Sequence, residues 1–136
     1  MSERLNSKVA IITGAGSGIG RETSLLFLEE GAQVVLADIN QTTLEETMNL
    51  VSQKGFKDNA ISVIADVSKE AAIESMVKSA MDEFGRLDIL FNNAGLGGAF
   101  GSISDIDADE WDQSMAILLK SVFMGIKHAS VEMKKM

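Results

Sequence analysis

The sequence predicts an α/β fold: a parallel sheet with helices packed on both of its faces. Three observations predict it. Short apolar runs alternate with longer stretches of helical period, in the order β-α-β-α-β-α-β-α. The first three helical stretches are each followed by a glycine, Gly31, Gly55 and Gly85, where a left-handed cap ends a helix at little steric cost. The first strand-to-helix junction, TGAGSGIG at residues 13–20, holds four glycines in eight positions.

The first element, KVAIIT (8–13), reads as a buried strand, and Ile19, Thr23, Leu26 and Phe27 then recur at helical spacing. AQVVLAD (32–38) is the second buried-strand candidate, followed by the helical stripe Leu44, Met48 and Val51. AISVIAD (60–66) is the third, followed by Ile73, Met76, Val77, Ala80 and Phe84. LDILFN (87–92) is the fourth. A last helix is expected to start near Asp107 to Asp109, where acids favour the positive helix N-terminus. Its expected core stripe is Trp111, Met115, Leu118, Leu119, Val122, Ile126, Ala129 and Met133. No linker, repeat or low-complexity segment divides the chain, so residues 1–136 are expected to form a single domain.

Composition narrows the function classes. A chain of 136 residues with 46% hydrophobic content can bury a real core. With no cysteine there are no disulfides and no thiolate metal sites. No secretory leader pattern and no apolar run of 18 residues occurs, which predicts a soluble, cytoplasmic chain. The net charge is −8, and residues 41–112 carry 14 acids against 5 bases. That balance argues against nucleic acid and anionic membrane as partners; solvated helix faces account for the charge clusters.

The glycine cluster sits where a phosphate binder needs open backbone. Gly14 permits the tight turn, while Gly18 and Gly20 allow close approach of a pyrophosphate and of the helix to the sheet. The free N–H groups of the helix N-terminus then face the negative charge. Rival motifs fail. G-x-G-x-x-G meets Ile19 or Arg21 at its third glycine, the P-loop lysine is missing, and a nucleophile elbow on Ser17 would need glycine at Ala15 and Ile19. T-G-x-x-x-G-x-G fits, through Thr13, Gly14, Gly18 and Gly20. On this motif the chain resembles the short-chain dehydrogenase/reductase family.

Three further stretches agree. Asp38 closes the second strand, where a carboxylate can accept hydrogen bonds from the ribose hydroxyls of NAD. Asp66-Val67 ends the third strand, where the resemblance implies contacts to adenine. Asn92-Asn93-Ala94-Gly95 matches the family's NNAG motif, which implies that an asparagine helps fix the central sheet and that Asn93 lies beside the ribose. The resemblance implies a Rossmann-like sheet of about four strands in the order 3-2-1-4. It also implies a cofactor site of Gly14, Ser17, Gly18, Ile19, Gly20, Asp38, Asp66, Val67 and Asn93, with NAD as the cofactor.

The implied reaction moves hydride between NAD(H) and an alcohol or ketone. The family's tyrosine, the lysine four residues on and the polarising serine would lie beyond Met136, and the chain holds no tyrosine. The chain is therefore expected to be the N-terminal, cofactor-binding half, with no catalytic residue and no turnover alone. The alternative is a non-catalytic NAD-binding or interaction module. Leu118 stands where the family's water-holding asparagine belongs, seven residues after Trp111, and reads as a well-packed member of the apolar stripe. His128, the only histidine, reads as a surface or boundary residue; Ser130, two positions on, points away from it. Asp105, Asp107 and Asp109 imitate a calcium loop, but Glu110 and Ala116 occupy its required glycine and glutamate. No metal site is expected. LGGAFG (96–101) reads as a loop beside the substrate space. An open apolar edge at the fourth strand predicts a homo-oligomer.

Overall fold

The computed structural model describes residues 3–136. Strands β1 (Val9–Thr13), β2 (Gln33–Asp38), β3 (Ala60–Ile64) and β4 (Ile89–Phe91) form one parallel sheet in the order β3-β2-β1-β4. Helices α1 (Gly18–Glu29), α2 (Gln41–Gln53) and α3 (Glu70–Phe84) connect them. After β4 come α4 (Ala108–Met115), a π-helical segment (Ala116–Lys120) and α5 (Ser121–Met133). The expected order of strands and helices is the observed one. Gly31, Gly55 and Gly85 all take positive φ (96°, 85° and 78°) just past their helices.

Strand alternation sorts the core into two layers. Val9 and Ile11 of β1 and Val35 and Ala37 of β2 pack with Ile73, Met76 and Ala80 of α3 and Met124 and Ala129 of α5. Ile12, Val34 and Leu36 pack on the other face with Leu25 and Leu28 of α1 and Leu44 and Val51 of α2. With both faces covered, all of β1 is buried, and it is apolar up to its last residue, Thr13. The outer strands differ from the expectation of full burial: Ser62 and Ile64 of β3 are exposed and all of β4 is half-buried. Each has a neighbouring strand on one side only.

Two helices turn a different face inward than their apolar periodicity predicts. On α1, Ile19 and Leu26 are exposed, while Gly20, Ser24, Leu25 and Leu28 are buried. On α5 and the π-helical segment, Leu118, Leu119 and Ile126 are exposed, while Ser121, Met124, Gly125 and Ala129 are buried. The reason is distance. A Cβ on Gly20 would lie 2.1 Å from the Gly14 carbonyl oxygen, and one on Gly125 would lie 2.8 Å from Asn92 Oδ1. Small residues face the sheet because the backbones approach too closely for large ones. The same contact places Asn92 between β4 and α5.

At the opposite end of the sheet from the glycine loop, Asp88 joins β4 to β1. The Val9 N–H donates to Asp88 Oδ2 (2.9 Å), and the Asp88 N–H donates to the Val9 carbonyl (2.9 Å). Arg86 donates to both carboxylate oxygens, at 2.9 and 2.6 Å. These bonds, led by Arg86, hold the Asp88 carboxyl below the usual carboxylate range.

Candidate functional site

A cavity of about 450 Å³ opens beyond the carboxyl ends of β1, β2 and β4. It lies where β1 has β2 on one side and β4 on the other, the switch point at which open α/β sheets bind ligands. Eight of the nine residues expected at a cofactor site line it: Gly14, Ser17, Gly18, Ile19, Asp38, Asp66, Val67 and Asn93. Gly20 is buried behind them, and its part is the close approach of α1 to the Gly14 carbonyl.

The loop is built for exposed backbone. Gly14 turns the chain at φ 67°, and a side chain there would meet Asn93 Nδ2 at 2.9 Å. Gly18 takes φ 51°, and a Cβ on it would meet no protein atom within 4 Å, so the cavity side of the loop is bare. Ser17 is the N-cap of α1 but makes no side-chain cap bond. The first-turn N–H groups of α1, which have no partner within a helix, are thus left without that cap beside the cavity.

Asp38 is held from two sides. The Gly16 N–H donates to Asp38 Oδ2 at 2.8 Å and the Asn40 N–H donates to Oδ1 at 3.0 Å. The loop carrying Gly16 is braced from behind. Arg21 Nη2 donates to the Gly16 carbonyl (2.6 Å), Arg21 Nε donates to Thr47 Oγ1 (2.9 Å), and the buried Thr47 hydroxyl donates to the Ala15 carbonyl (2.9 Å). Gly16, Arg21 and Thr47 were not foreseen from sequence. One signal was present: Gly16 is the one glycine of TGAGSGIG that T-G-x-x-x-G-x-G leaves unused.

Across the cavity, Asp66 Oδ1 accepts from the Ser68 hydroxyl (2.6 Å) and the Ser68 N–H (3.0 Å). The hydroxyl bond is the main cause that keeps the Asp66 carboxyl below its ordinary range. Val67 is buried and forms wall. Asn93 Nδ2 donates to the Thr13 carbonyl (3.1 Å), while Thr13 Oγ1 accepts from the N–H groups of Asn93 (3.0 Å) and Ala94 (2.9 Å). The NNAG turn is therefore tied to the end of β1, and Asn93 Oδ1 accepts no hydrogen bond among the described residues.

Leu118 is not the packed stripe residue that its spacing predicts. It is 45% exposed and lies against Gly95 and Gly98, and its neighbour Ile117 lines the cavity instead. Both sit in the π-helical segment, whose extra residue per turn shifts the register of the faces. Asp107 and Asp109 are helix-start groups, as expected: Asp107 is the N-cap of α4, its Oδ1 accepting from the Asp109 N–H at 3.3 Å, and Asp109 lies in the first turn. Asp105 is not, its carboxylate accepting from the Ser102 hydroxyl in the loop before the helix. Ala94 and Gly95 of the NNAG turn and Leu96 of the 96–101 loop also line the cavity, together with Ile39 and Ala65.

Comparison with known proteins agrees with this geometry. The family model described as short chain dehydrogenase matches residues 8–136. An uncharacterized oxidoreductase of Thermotoga maritima is 41% identical over 128 residues, covering 94% of this chain and 49% of that protein. Short-chain dehydrogenase reductase 4 of Arabidopsis thaliana is 41% identical over 129 residues, covering 95% of this chain and 42% of that protein. The crystal structure of NAD+-bound xylitol dehydrogenase superposes with a TM-score of 0.90 at 37% identity, over 97% of this chain and 50% of that one. A short-chain dehydrogenase/reductase from Burkholderia phymatum in complex with NAD gives 0.89 at 32% identity, over 95% of this chain and 45% of that one. The chain spans about half the length of the curated relatives it matches.

Proposed function

From the premise that the chain belongs to the short-chain dehydrogenase family, we propose that residues 1–136 are a single NAD-binding unit, the cofactor portion of an oxidoreductase that moves hydride between NAD(H) and an alcohol or ketone. One observation carries this reading: the bare glycine loop and the doubly held Asp38 carboxylate border the same cavity. The residues fit the cofactor. Gly18 leaves space that any Cβ would occupy, and the N-terminus of α1 offers N–H donors to a pyrophosphate. Asp38 would accept from the ribose hydroxyls, Asp66 and Val67 would border the adenine, and the free Oδ1 of Asn93 would face the nicotinamide-side ribose. When bound, NAD supplies the hydride acceptor. This chain binds and orients it; with no tyrosine, it has no positioned group to move the proton that carbonyl reduction requires.

The test is titration calorimetry with NAD, followed by a steady-state assay. Saturable 1:1 binding without turnover of any alcohol or ketone is expected from the chain alone; absence of binding at millimolar NAD overturns the proposal. Joined to the family's C-terminal half, the chain should turn over slowly, and Leu118→Asn should raise the rate by restoring the water-holding amide. A faster leucine form would remove Leu118 from that position of the family's pattern. Among the described residues no helix is long and apolar enough to cross a membrane. The absence of cysteine suits a cytoplasmic location, and the acidic charge supports a small-molecule partner over nucleic acid.

A further inference from the structure

Away from the cavity, at the seam between α3 and α5, three ligand-type side chains converge. Glu70 and Glu74, four residues apart, share a face of α3, and His128 reaches them from α5. His128 Nε2 lies 2.7 Å from Glu70 Oε2 and 3.7 Å from Glu74 Oε1, and the three ligand atoms are all within 4.8 Å of one another. No metal ion is present in this structure.

We propose that Glu70, Glu74 and His128 form a zinc site that clips α5 onto α3. One imidazole and two carboxylates supply three of the four ligands of a tetrahedral Zn²⁺, with water as the fourth. Bonds of about 2.0–2.1 Å place tetrahedral ligand atoms about 3.3–3.4 Å apart, a spacing that falls between the 2.7 and 3.7 Å separating His128 Nε2 from the two carboxylates. The acceptor balance points the same way. A single ring N–H serves Glu70, and Glu74 accepts no hydrogen bond among the described residues, which leaves a second carboxylate aimed at the same nitrogen. The His128 side chain is 21% exposed and that of Glu74 is 60% exposed, so the ring is held while the entry stays open. The imidazole ligand and the small ligand number favour zinc over magnesium, which demands six oxygen ligands. Lys127 is the competitor: its Nζ lies 2.7 Å from Glu70 Oε2, and its side chain is half-exposed and free to swing away.

Zinc chloride titrated into the metal-free chain tests this by calorimetry and thermal melting. Expected are 1:1 binding, a rise in Tm of about 3 °C or more at saturation, and no response to magnesium. His128→Gln, whose amide can keep the bond to Glu70, and Glu74→Gln should each weaken zinc binding at least about tenfold. Lys127→Ala should tighten it. Cobalt(II) in place of zinc should give the intense visible absorption of a tetrahedral centre, a reading that a plain ion-pair cluster does not produce. Zinc binding equal in all four proteins, or no binding to the unsubstituted chain, overturns the proposal. Because the variants are compared by affinity as well as by melting, a loss of stability in one of them cannot be mistaken for loss of the site.

Discussion

Asp38 shows how one residue can set a preference through its surroundings. Its two oxygens are already fixed by the N–H groups of Gly16 and Asn40, so the carboxylate cannot turn away from a ligand placed beside it. A ribose diol would donate to it; a 2′-phosphate would place like charges together in a partly desolvated cleft. Ser17 and Ile39, the two nearby positions from which an arginine could offset that repulsion, carry no charge. Calorimetry should therefore find NAD bound at least about tenfold more tightly than NADP, a difference of about 1.4 kcal/mol. Asp38→Ala should narrow that gap. Equal or tighter binding of NADP by the unsubstituted chain defeats the argument. Asp38 was legible as a strand-end carboxylate; the clasp around it was not, because Gly16, 22 positions away, comes near it only once β1 and β2 pair and adds to the local bond from Asn40.

At the scale of elements, the junctions carry the sharpest tests. Gly20→Ala would gain about 1 kcal/mol at an exposed helix position. Here the methyl would meet the Gly14 carbonyl at 2.1 Å, a backbone atom that cannot swing aside, so the sign reverses. A net loss of about 1–3 kcal/mol is expected in thermal or urea melts, together with loss of NAD binding as α1 lifts from the loop. A more stable Gly20→Ala variant would mean that α1 does not sit this close. At the other end of the sheet, Asp88 has a pKa lowered in the folded chain, first by Arg86 and then by the Val9 N–H. A lowered carboxylate pKa contributes stability that is present above the unfolded value, about 3.9, and is lost as pH falls through the folded value. Asp88→Asn should cost about 1–3 kcal/mol at pH 7, since it strands Arg86 and weakens the β1–β4 join. The difference between the two proteins should shrink below pH 4. A gap that stays constant down to pH 2 would show that the ionised form does not matter.

For the whole molecule, an exposed apolar row, Leu119 (60%) of the π-helical segment with Phe123 (60%) and Ile126 (57%) of α5, lies on the outer side of the helix that covers β4, and β4 itself ends the sheet. An apolar helix row beside an unpaired strand edge favours association. We expect light scattering to find a dimer or larger species, and Phe123→Glu to shift it toward monomer; a well-behaved monomer at high concentration would count against this. The sequence by itself determined the parallel α/β order, the helix-ending glycines, the glycine loop, Asp38 and the NNAG turn. Each of these is written in local chemistry: alternation, a conformation that glycine adopts easily, or a carboxylate at a strand end. Only the tertiary structure decided which faces of α1 and α5 turn inward, because burial there follows the distance between backbones, and glycine, serine and alanine satisfy it where hydropathy points to leucine and isoleucine. It likewise decided that Gly16 clasps Asp38, and that His128 meets Glu70 from 58 positions away. Contacts between distant segments are set by packing geometry, which no local pattern of residues records.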